Sequence, residues 1–301
     1  MTPRGEGIDF EAELDLWQVS LRAERKSNAT VKSYSTGVRA FLDYCMRVGV
    51  SPALDRHTVS AFTADLLDQG LEPSTATSRQ LAVRRFSAWL TAEEVIDRDD
   101  LVGLKSPKLD QKVVEPLTDD QVRALVRACK GKELRDKRDE AVVRLMVEAG
   151  LRAGECAELK LADLDLKAGT VVVRRGKGGK GRVVPFSAQT GQVIGRYLRT
   201  RRTHRLASSE ALWLGDRGKE FHYDGLHKAL RERARAAGIT RFHPHLLRHT
   251  AAHRWLAAGG SEQGLMTVAG WSTPDMLQRY TKARAADRAV KEARALNLGD
   301  L

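Results

Sequence analysis

The second half of the sequence holds several short segments whose residue types suit chemistry on a phosphate. In HPHLLRHTAAHRWL (243–256), His245 and Arg248 stand three residues apart, which places them on one face of a helix. An imidazole and a guanidinium presented together near a helix start can hold a phosphate. Taken alone, this spacing is more often typical of a solvated basic helix face.

An arginine and a glutamate follow an apolar helix in GLRAGE (150–155). Arg152 comes directly after the helix and its terminal glycine, where we expect it to be partly buried and to need an anion. Glu155 can supply that anion in a purely structural pair. Equally, a phosphate can supply it, with Glu155 only orienting the guanidinium.

Two lysines lie in the glycine-rich stretch GKGGKG (176–181), between the β-branched runs VVVRR (171–175) and RVVPF (182–186). This pattern predicts a hairpin with a flexible basic tip. It lacks the spacing of a nucleotide-binding loop. Lys177 and Lys180 are either solvent-exposed or able to reach a bound duplex and deliver a proton.

A tyrosine near the C-terminus has an unusual basic setting. In VAGWSTPDMLQRYTKAR (268–284), Tyr280 is surrounded by Arg279, Lys282 and Arg284. Its spacing from preceding apolar residues favours a core tyrosine, and Trp271 is also typical of a core. The phenol and the indole N–H nevertheless both have polar groups that suit a phosphate site.

The elements that position these residues are mostly helical. Before residue 105 the pattern predicts helices capped at Thr30, starting near Thr58 and following Pro73, with a lead of about 10–15 residues before the first helix. Residues 1–105 are predicted to be a helical domain, residues 106–116 a linker, and residues 117–301 a second domain.

The second domain is predicted to be α+β. A capping box at Thr118–Gln121 starts it, AVVRLMVEAG (141–150) is a buried helix, and the hairpin follows. Further helices are predicted at about 188–201, 224–237, 245–258, 262–269, from Thr273 through Tyr280, and 286–296.

Charge is unevenly distributed. Residues 1–110 carry 14 Lys and Arg against 17 Asp and Glu, a net −3, whereas the remaining residues carry 37 against 22, a net +15. This favours a polyanionic partner, with nucleic acid first, over a solvated basic surface or a membrane surface. The candidate DNA contacts in the first domain are therefore local: Lys32, Arg79, Arg84 and Arg85.

The compartment is predicted from what the sequence lacks. It has three widely spaced cysteines, no apolar run of about 20 residues and no signal-peptide pattern at its start. We therefore expect a protein of the reducing cytoplasm, and the family resemblance given below implies that of a bacterial host cell.

The ordered set of segments resembles the tyrosine recombinase family, also called the phage integrase family, over nearly the whole chain. GLRAGECAELKLADLD (150–165) is similar to its first-arginine box and GKGGKGRVVPF (176–186) to its lysine hairpin. HPHLLRHTAAHRWL is similar to its H-x-x-R-H-T box, and AGWSTPDMLQRYTK (269–282) to its box ending in tyrosine. Trp271 stands where most members have histidine. Lys282 also differs from the residue that many members have there, at a position that is not catalytic.

The resemblance implies how a phosphate would be held. Arg152 and Arg248 would neutralise the phosphate oxygens and favour the pentacoordinate transition state. His245 would hydrogen-bond the phosphate or assist proton transfer, and Trp271 would pack the site and offer its N–H to an oxygen.

It also implies covalent catalysis. Tyr280 would attack the phosphorus and form a 3′-phosphotyrosine, with its phenol easier to ionise beside several cations. Lys177, or Lys180 in its place, would protonate the leaving 5′ oxygen. Because this intermediate conserves the phosphodiester bond energy, we expect no cofactor, metal or nucleotide.

The family fold implied is an N-terminal SAM-like core-site-binding domain and a tyrosine-recombinase catalytic domain, clamped around double-stranded DNA. Four protomers would assemble on two sites and exchange strands through a Holliday junction. The last helix, with its stripe of Ala289, Val290, Ala293 and Leu296, would dock on a neighbouring protomer or pack in cis. The short lead predicts simple recombination sites.

The function expected is integration or excision of a phage or mobile element. A bacterial chromosome-dimer-resolving recombinase is the alternative within the same chemistry, although such enzymes more usually have histidine at the Trp271 position. A DNA-binding protein that no longer cleaves and a type IB topoisomerase are the other classes.

Overall fold

The computed structural model describes residues 7–109, 115–174 and 181–271, together with residues 273, 277 and 294. The chain divides into two compact units, Met1–Lys112 and Val113–Leu301. The functional ranges 1–105, 106–116 and 117–301 stay predictions.

The described part of the first unit is helical: α1 (Phe10–Ala23), α2 (Asn28–Val48), α3 (Arg56–Asp68) and α4 (Pro73–Ala92). Helix α1 begins after the predicted lead, and its buried stripe is Phe10, Leu14, Trp17 and Leu21. Helices α2 and α4 approach closely at Gly37, where an added Cβ would lie 2.5 Å from the Cβ of Ala82. Apolar side chains between the helices form the core of this unit.

Two predicted helix starts in this unit are wrong by two or more residues. Helix α2 begins at Asn28 because the Ser27 hydroxyl accepts the N–H of Thr30, so Thr30 is a third-position residue and not the cap. Helix α3 begins at Arg56, since Asp55 accepts both the N–H and the hydroxyl of Thr58. The start of α4 at Pro73 is as predicted.

The second unit is mostly helical around a small sheet. Its helices are α5 (Asp119–Ala128), α6 (Leu134–Ala149), α7 (Ala153–Ala157), α8 (Ala188–Arg201), α9 (Tyr223–Ala236), α10 (His245–Ala257) and α11 (Glu262–Ala269). Its strands β1 (Leu164–Asp165), β2 (Thr170–Val173) and β3 (Arg182–Pro185) are antiparallel in the order β1-β2-β3. The predicted hairpin strands and the Thr118 capping box are confirmed.

Helix α6 forms the centre of the larger core. Leu145 and Met146 are fully buried in it, and α8 and α10 pack on its sides. The helix ends at Gly150, whose φ of 62° lies in the left-handed region that glycine adopts without strain. This buried helix therefore fixes the position of Arg152, three residues beyond its last residue, Ala149.

No helix within the described ranges is long and apolar enough to cross a membrane. Tyr280, most of the predicted helix that carries it and most of residues 286–296 lie outside the described residues, as does the hairpin tip with Lys177 and Lys180.

Candidate active site

The first-arginine segment is organised by one carboxylate. Arg152 precedes α7, and its backbone N–H donates to Glu155 Oε2 at 2.9 Å while its Nη1 donates to Oε1 at 2.7 Å. Glu155 is almost fully buried, whereas about a quarter of the Arg152 side chain remains exposed. Glu155 therefore does orient the guanidinium, and the exposed part of Arg152 leaves room for an anion.

A second arginine, to which the sequence motifs assign no role, binds the same carboxylate. Arg182, the first residue of β3, donates from Nη1 to Glu155 Oε1 at 3.1 Å and from Nη2 to Oε2 at 2.7 Å. Its side chain is only 8% exposed. Each oxygen of Glu155 thus accepts one hydrogen bond from Arg152 and one from Arg182.

These bonds keep Glu155 ionised. Burial alone would raise the pKa of Glu155, but the hydrogen bonds from Arg182 and from the backbone and side chain of Arg152 outweigh burial and lower it to about 2. The triad of Arg152, Glu155 and Arg182 therefore carries one net positive charge at neutral pH.

Arg248 of the H-x-x-R box is buried, not solvated. It is 1% exposed, and it donates from Nη1 to the carbonyl of Gly150 and from Nη2 to the carbonyl of Ala269, both at 2.7 Å. The alternative of a solvated basic face is therefore wrong for this residue. These two hydrogen bonds fix the orientation of the guanidinium between the end of α6 and the end of α11.

The C-terminal end of α11 joins the segments together. Arg182 Nε donates to the carbonyl of Val268 at 2.8 Å, next to the Ala269 carbonyl that Arg248 binds. The carbonyls at a helix C-terminus carry partial negative charge, which favours two guanidinium groups there. Gly270 then turns the chain with a φ of 65°, and Trp271 follows.

Trp271 is a core residue that also borders the arginines. It is 6% exposed and packs with Ala252, Leu256 and Leu265. The Cζ atom of Arg248 lies 5.4 Å from the centre of its ring. The core interpretation and the site interpretation are thus both compatible with its position.

His245 and Arg248 share a helix but differ in environment. His245 is the first residue of α10 and is exposed, with its ring 4.8 Å from that of His249. Burial is the main cause that lowers the pKa of His249 to about 4. The positive charges of four basic neighbours, His245 first and Arg248 among them, act in the same direction. His249 is therefore neutral at pH 7.

The structure brings together Arg152, Arg248 and Trp271, and it adds Arg182 and Glu155 between them. Lys177, Lys180 and Tyr280 lie outside the described residues. The strand pair Val173 with Arg182 marks where the hairpin tip leaves the sheet. In the first unit, Lys32 and Arg85 are exposed, and Arg79 and Arg84 are half-buried, all on α2 and α4.

Family models match both units. Residues 115–287 match the phage integrase family and residues 14–94 match the phage integrase N-terminal SAM-like domain. The chain is 30% identical to the tyrosine recombinase XerC of Pelotomaculum thermopropionicum, over 89% of this chain and 92% of that protein. It is 33% identical to the tyrosine recombinase XerD of Ralstonia nicotianae, over 69% and 68%.

Solved structures share the fold at lower identity. A XerH site-specific recombinase bound to a palindromic difH substrate, in a post-cleavage complex, superposes with a TM-score of 0.72 at 16% identity, over 96% of this chain and 85% of that one. A lambda integrase dimer on a COC′ core site gives 0.69 at 17%, over 90% and 94%.

The fold and the family matches define a class of enzymes that cleave DNA and transfer its strands. The chain belongs to the phage integrase family of tyrosine recombinases. The predicted fold class, the DNA-binding character and the site-specific recombinase function are confirmed at this level.

Proposed function

We propose that this recombinase binds the scissile phosphate of a DNA site between Arg152 and Arg248 and attacks it with Tyr280. The observation that carries the proposal is the convergence of Arg152, Arg248 and Trp271, from three separate segments, around the end of α11. Two guanidinium groups are suited to the phosphate oxygens, because their planar forks match the geometry of the anion.

The anion-binding role of this cluster is supported by its charge. The triad of Arg152, Glu155 and Arg182 has a surplus of one positive charge, and the buried guanidinium of Arg248 is held beside it by the carbonyls of Gly150 and Ala269. Positive groups held in place before the reaction stabilise the charge that develops on a phosphoryl transition state. We assign to His245, exposed at the start of α10, a hydrogen bond to the phosphate, as the matching motif implies.

The covalent step assigns roles by motif. The phenolate of Tyr280 attacks the phosphorus, the bond to the 5′ oxygen breaks, and a 3′-phosphotyrosine forms. The leaving 5′ oxygen takes its proton from Lys177, with Lys180 as the alternative donor. These three roles come from the matching family motifs, and rejoining repeats the same steps in reverse.

Trapping on a nicked suicide duplex tests the nucleophile. The nick lets the short fragment that carries the new 5′ hydroxyl diffuse away, so the strand cannot be rejoined. The wild-type protein should therefore accumulate a denaturation-resistant DNA adduct, whereas Tyr280→Phe should form none. Tyr223→Phe, at the exposed N-terminus of α9, is a control that should form the adduct. An unchanged adduct in Tyr280→Phe would reject the assignment.

A sulfur-substituted substrate tests the proton donor. Lys177→Ala should cleave a 5′-bridging phosphorothiolate far better than ordinary DNA, because the sulfur leaving group needs no proton. Equal impairment on the two substrates would move the role to Lys180 or to another group. Lys180→Ala measured in parallel separates these two outcomes.

At the level of biology, we infer integration and excision of a phage or mobile element, through a tetramer on two DNA sites and a Holliday junction. The solved lambda integrase tetramer on a Holliday junction supports such an assembly for this fold. A chromosome-dimer-resolving recombinase is the second candidate, supported by the XerC and XerD relatives.

Recombination between defined sites separates the two candidates. Joining of an element-end site to a different target site indicates integration, whereas recombination restricted to two copies of one chromosomal site indicates dimer resolution. Supercoil relaxation without two-site recombination would instead indicate a topoisomerase.

A further inference from the structure

A buried arginine to which no motif assigns a role joins the segments of the site. Arg182 follows the hairpin tip directly, and its side chain reaches Glu155, 27 residues earlier, and the Val268 carbonyl, 86 residues later. All three of its guanidinium nitrogens donate hydrogen bonds at 2.7–3.1 Å. Each nitrogen of its guanidinium thus has a partner within the protein.

Gly270 makes room for this side chain. A Cβ at residue 270 would lie 3.1 Å from both Cδ and Nη1 of Arg182, and the φ of 65° independently favours glycine. The glycine of the AGW segment is thus explained by the place that Arg182 occupies at the end of α11.

The charges show what Arg182 contributes. With Arg152 alone, Glu155 would form a closed pair of zero net charge, and a phosphate would have to compete with a buried carboxylate for the guanidinium. Arg182 gives Glu155 a bidentate partner of its own, so the triad retains one positive charge on its more exposed member, Arg152.

We propose that Arg182 is a positioning residue that neutralises Glu155 and thereby leaves the charge of Arg152 available to the scissile phosphate. Arg182 acts through Glu155 and does not touch the DNA. This inference rests on the proposed role of Arg152 at the phosphate.

The test is a double-mutant cycle on the suicide duplex, with single-turnover cleavage measured for protein shown to be folded by its thermal transition. Arg182→Gln should cleave about 10–100-fold more slowly, as expected for losing a charged hydrogen-bonded partner. The cleavage rate of the double variant Arg182→Gln/Glu155→Gln should lie within about fivefold of the rate of Glu155→Gln, because no carboxylate then competes with the phosphate for Arg152. Arg196→Gln, at an exposed ion pair with Glu140, is the matched control and should cleave like wild type.

A purely structural role predicts a different pattern. Equal loss in Arg182→Gln and in the double variant would overturn the proposal, as would wild-type cleavage by Arg182→Gln. The pH profile is a second readout: in Arg182→Gln the pKa of Glu155 rises, so its rate relative to wild type should increase as the pH falls from 8 to 5. A ratio that does not change with pH would contradict the proposal.

Two further variants keep the outcomes distinguishable. Arg182→Lys retains the charge but not the bidentate fork, so it should cleave faster than Arg182→Gln and more slowly than wild type, and it serves if Arg182→Gln does not fold. A loss with Arg182→Lys as deep as that with Arg152→Ala would overturn the charge argument. Full cleavage by Arg152→Ala would instead remove the proposed function itself, whatever Arg182 does.

Discussion

Two clusters in the second unit combine arginines with carboxylates, but the ratio of arginines to carboxylates differs between them. One cluster has two arginines and two aspartates that hydrogen-bond to one another, with Arg135 and Asp216 at its edge, whereas the triad has two arginines and one glutamate. The balanced cluster joins α6 to α9: Arg233 donates to Asp136 at 2.7 Å and to Asp139 at 2.8 Å, and Arg138 also binds Asp139. The triad joins the loop after α6, the start of β3 and the end of α11.

The ratio of arginines to carboxylates distinguishes a cluster with a structural role from one with a functional role. In the balanced cluster, the remaining guanidinium nitrogens donate to the carbonyls of Leu214 and Ala128, and Arg138 lies 3.8 Å above the ring of Phe221. Its charges and hydrogen bonds are satisfied within the protein. The triad retains a positive charge near the surface, which is what a phosphate site requires.

The largest expected effect on stability comes from breaking the balanced cluster. Arg233→Gln leaves two mostly buried aspartates without their shared partner, so the free energy of unfolding should fall by about 3–5 kcal/mol. Denaturant unfolding measures the change. Cleavage by the folded fraction should stay within about twofold of wild type, and a cleavage defect with unchanged stability would contradict the comparison.

The triad should show its charge in an acid titration of stability. The folded pKa of Glu155, about 2, lies below its ordinary 4.5, so its ionisation stabilises the fold above pH 4.5 and this contribution is lost as the pH falls to about 2. The shift corresponds to about 3 kcal/mol at most. Unfolding measured between pH 5 and pH 2 should show a flatter decline in Glu155→Gln, and identical slopes would contradict the low pKa.

His249 reports the environment beside the same site. Its pKa of about 4 lies below its ordinary 6.5, so the fold favours the neutral ring and loses stability as the pH falls from 6.5 to about 4. NMR titration of the imidazole should give a midpoint near 4. A midpoint near 6.5 would contradict the buried, positively charged surroundings described for this residue.

Local signals predicted the elements well where partners are close in sequence. The Thr118 and Gln121 capping box and the helix end at Gly150 depend on contacts within four residues, and both are confirmed. The observed cap of α2 is Ser27 and not the predicted Thr30, since either hydroxyl suits a cap and only the fold determines which of them accepts a backbone N–H. Strand β1 was missed because two residues show no period.

Long-range partners were harder to predict. The sequence motifs led to Arg152, Arg248 and Trp271, which the fold does bring together. For Arg182 the pattern predicts only a position in a strand, because nothing within its own segment indicates that Glu155 and the Val268 carbonyl contact its side chain. The available signal was an arginine at the first position of an otherwise apolar strand, beside the lysine hairpin.

The most direct test of the comparison replaces one arginine in each cluster and measures both properties together. Single-turnover cleavage and thermal unfolding are recorded for Arg152→Lys beside Arg233→Gln. Arg152→Lys should lose about 100-fold in cleavage with little change in its melting temperature, because lysine cannot reproduce the guanidinium fork, while Arg233→Gln should melt earlier and still cleave. Wild-type cleavage by Arg152→Lys, or equal cleavage losses in both variants, would contradict the account.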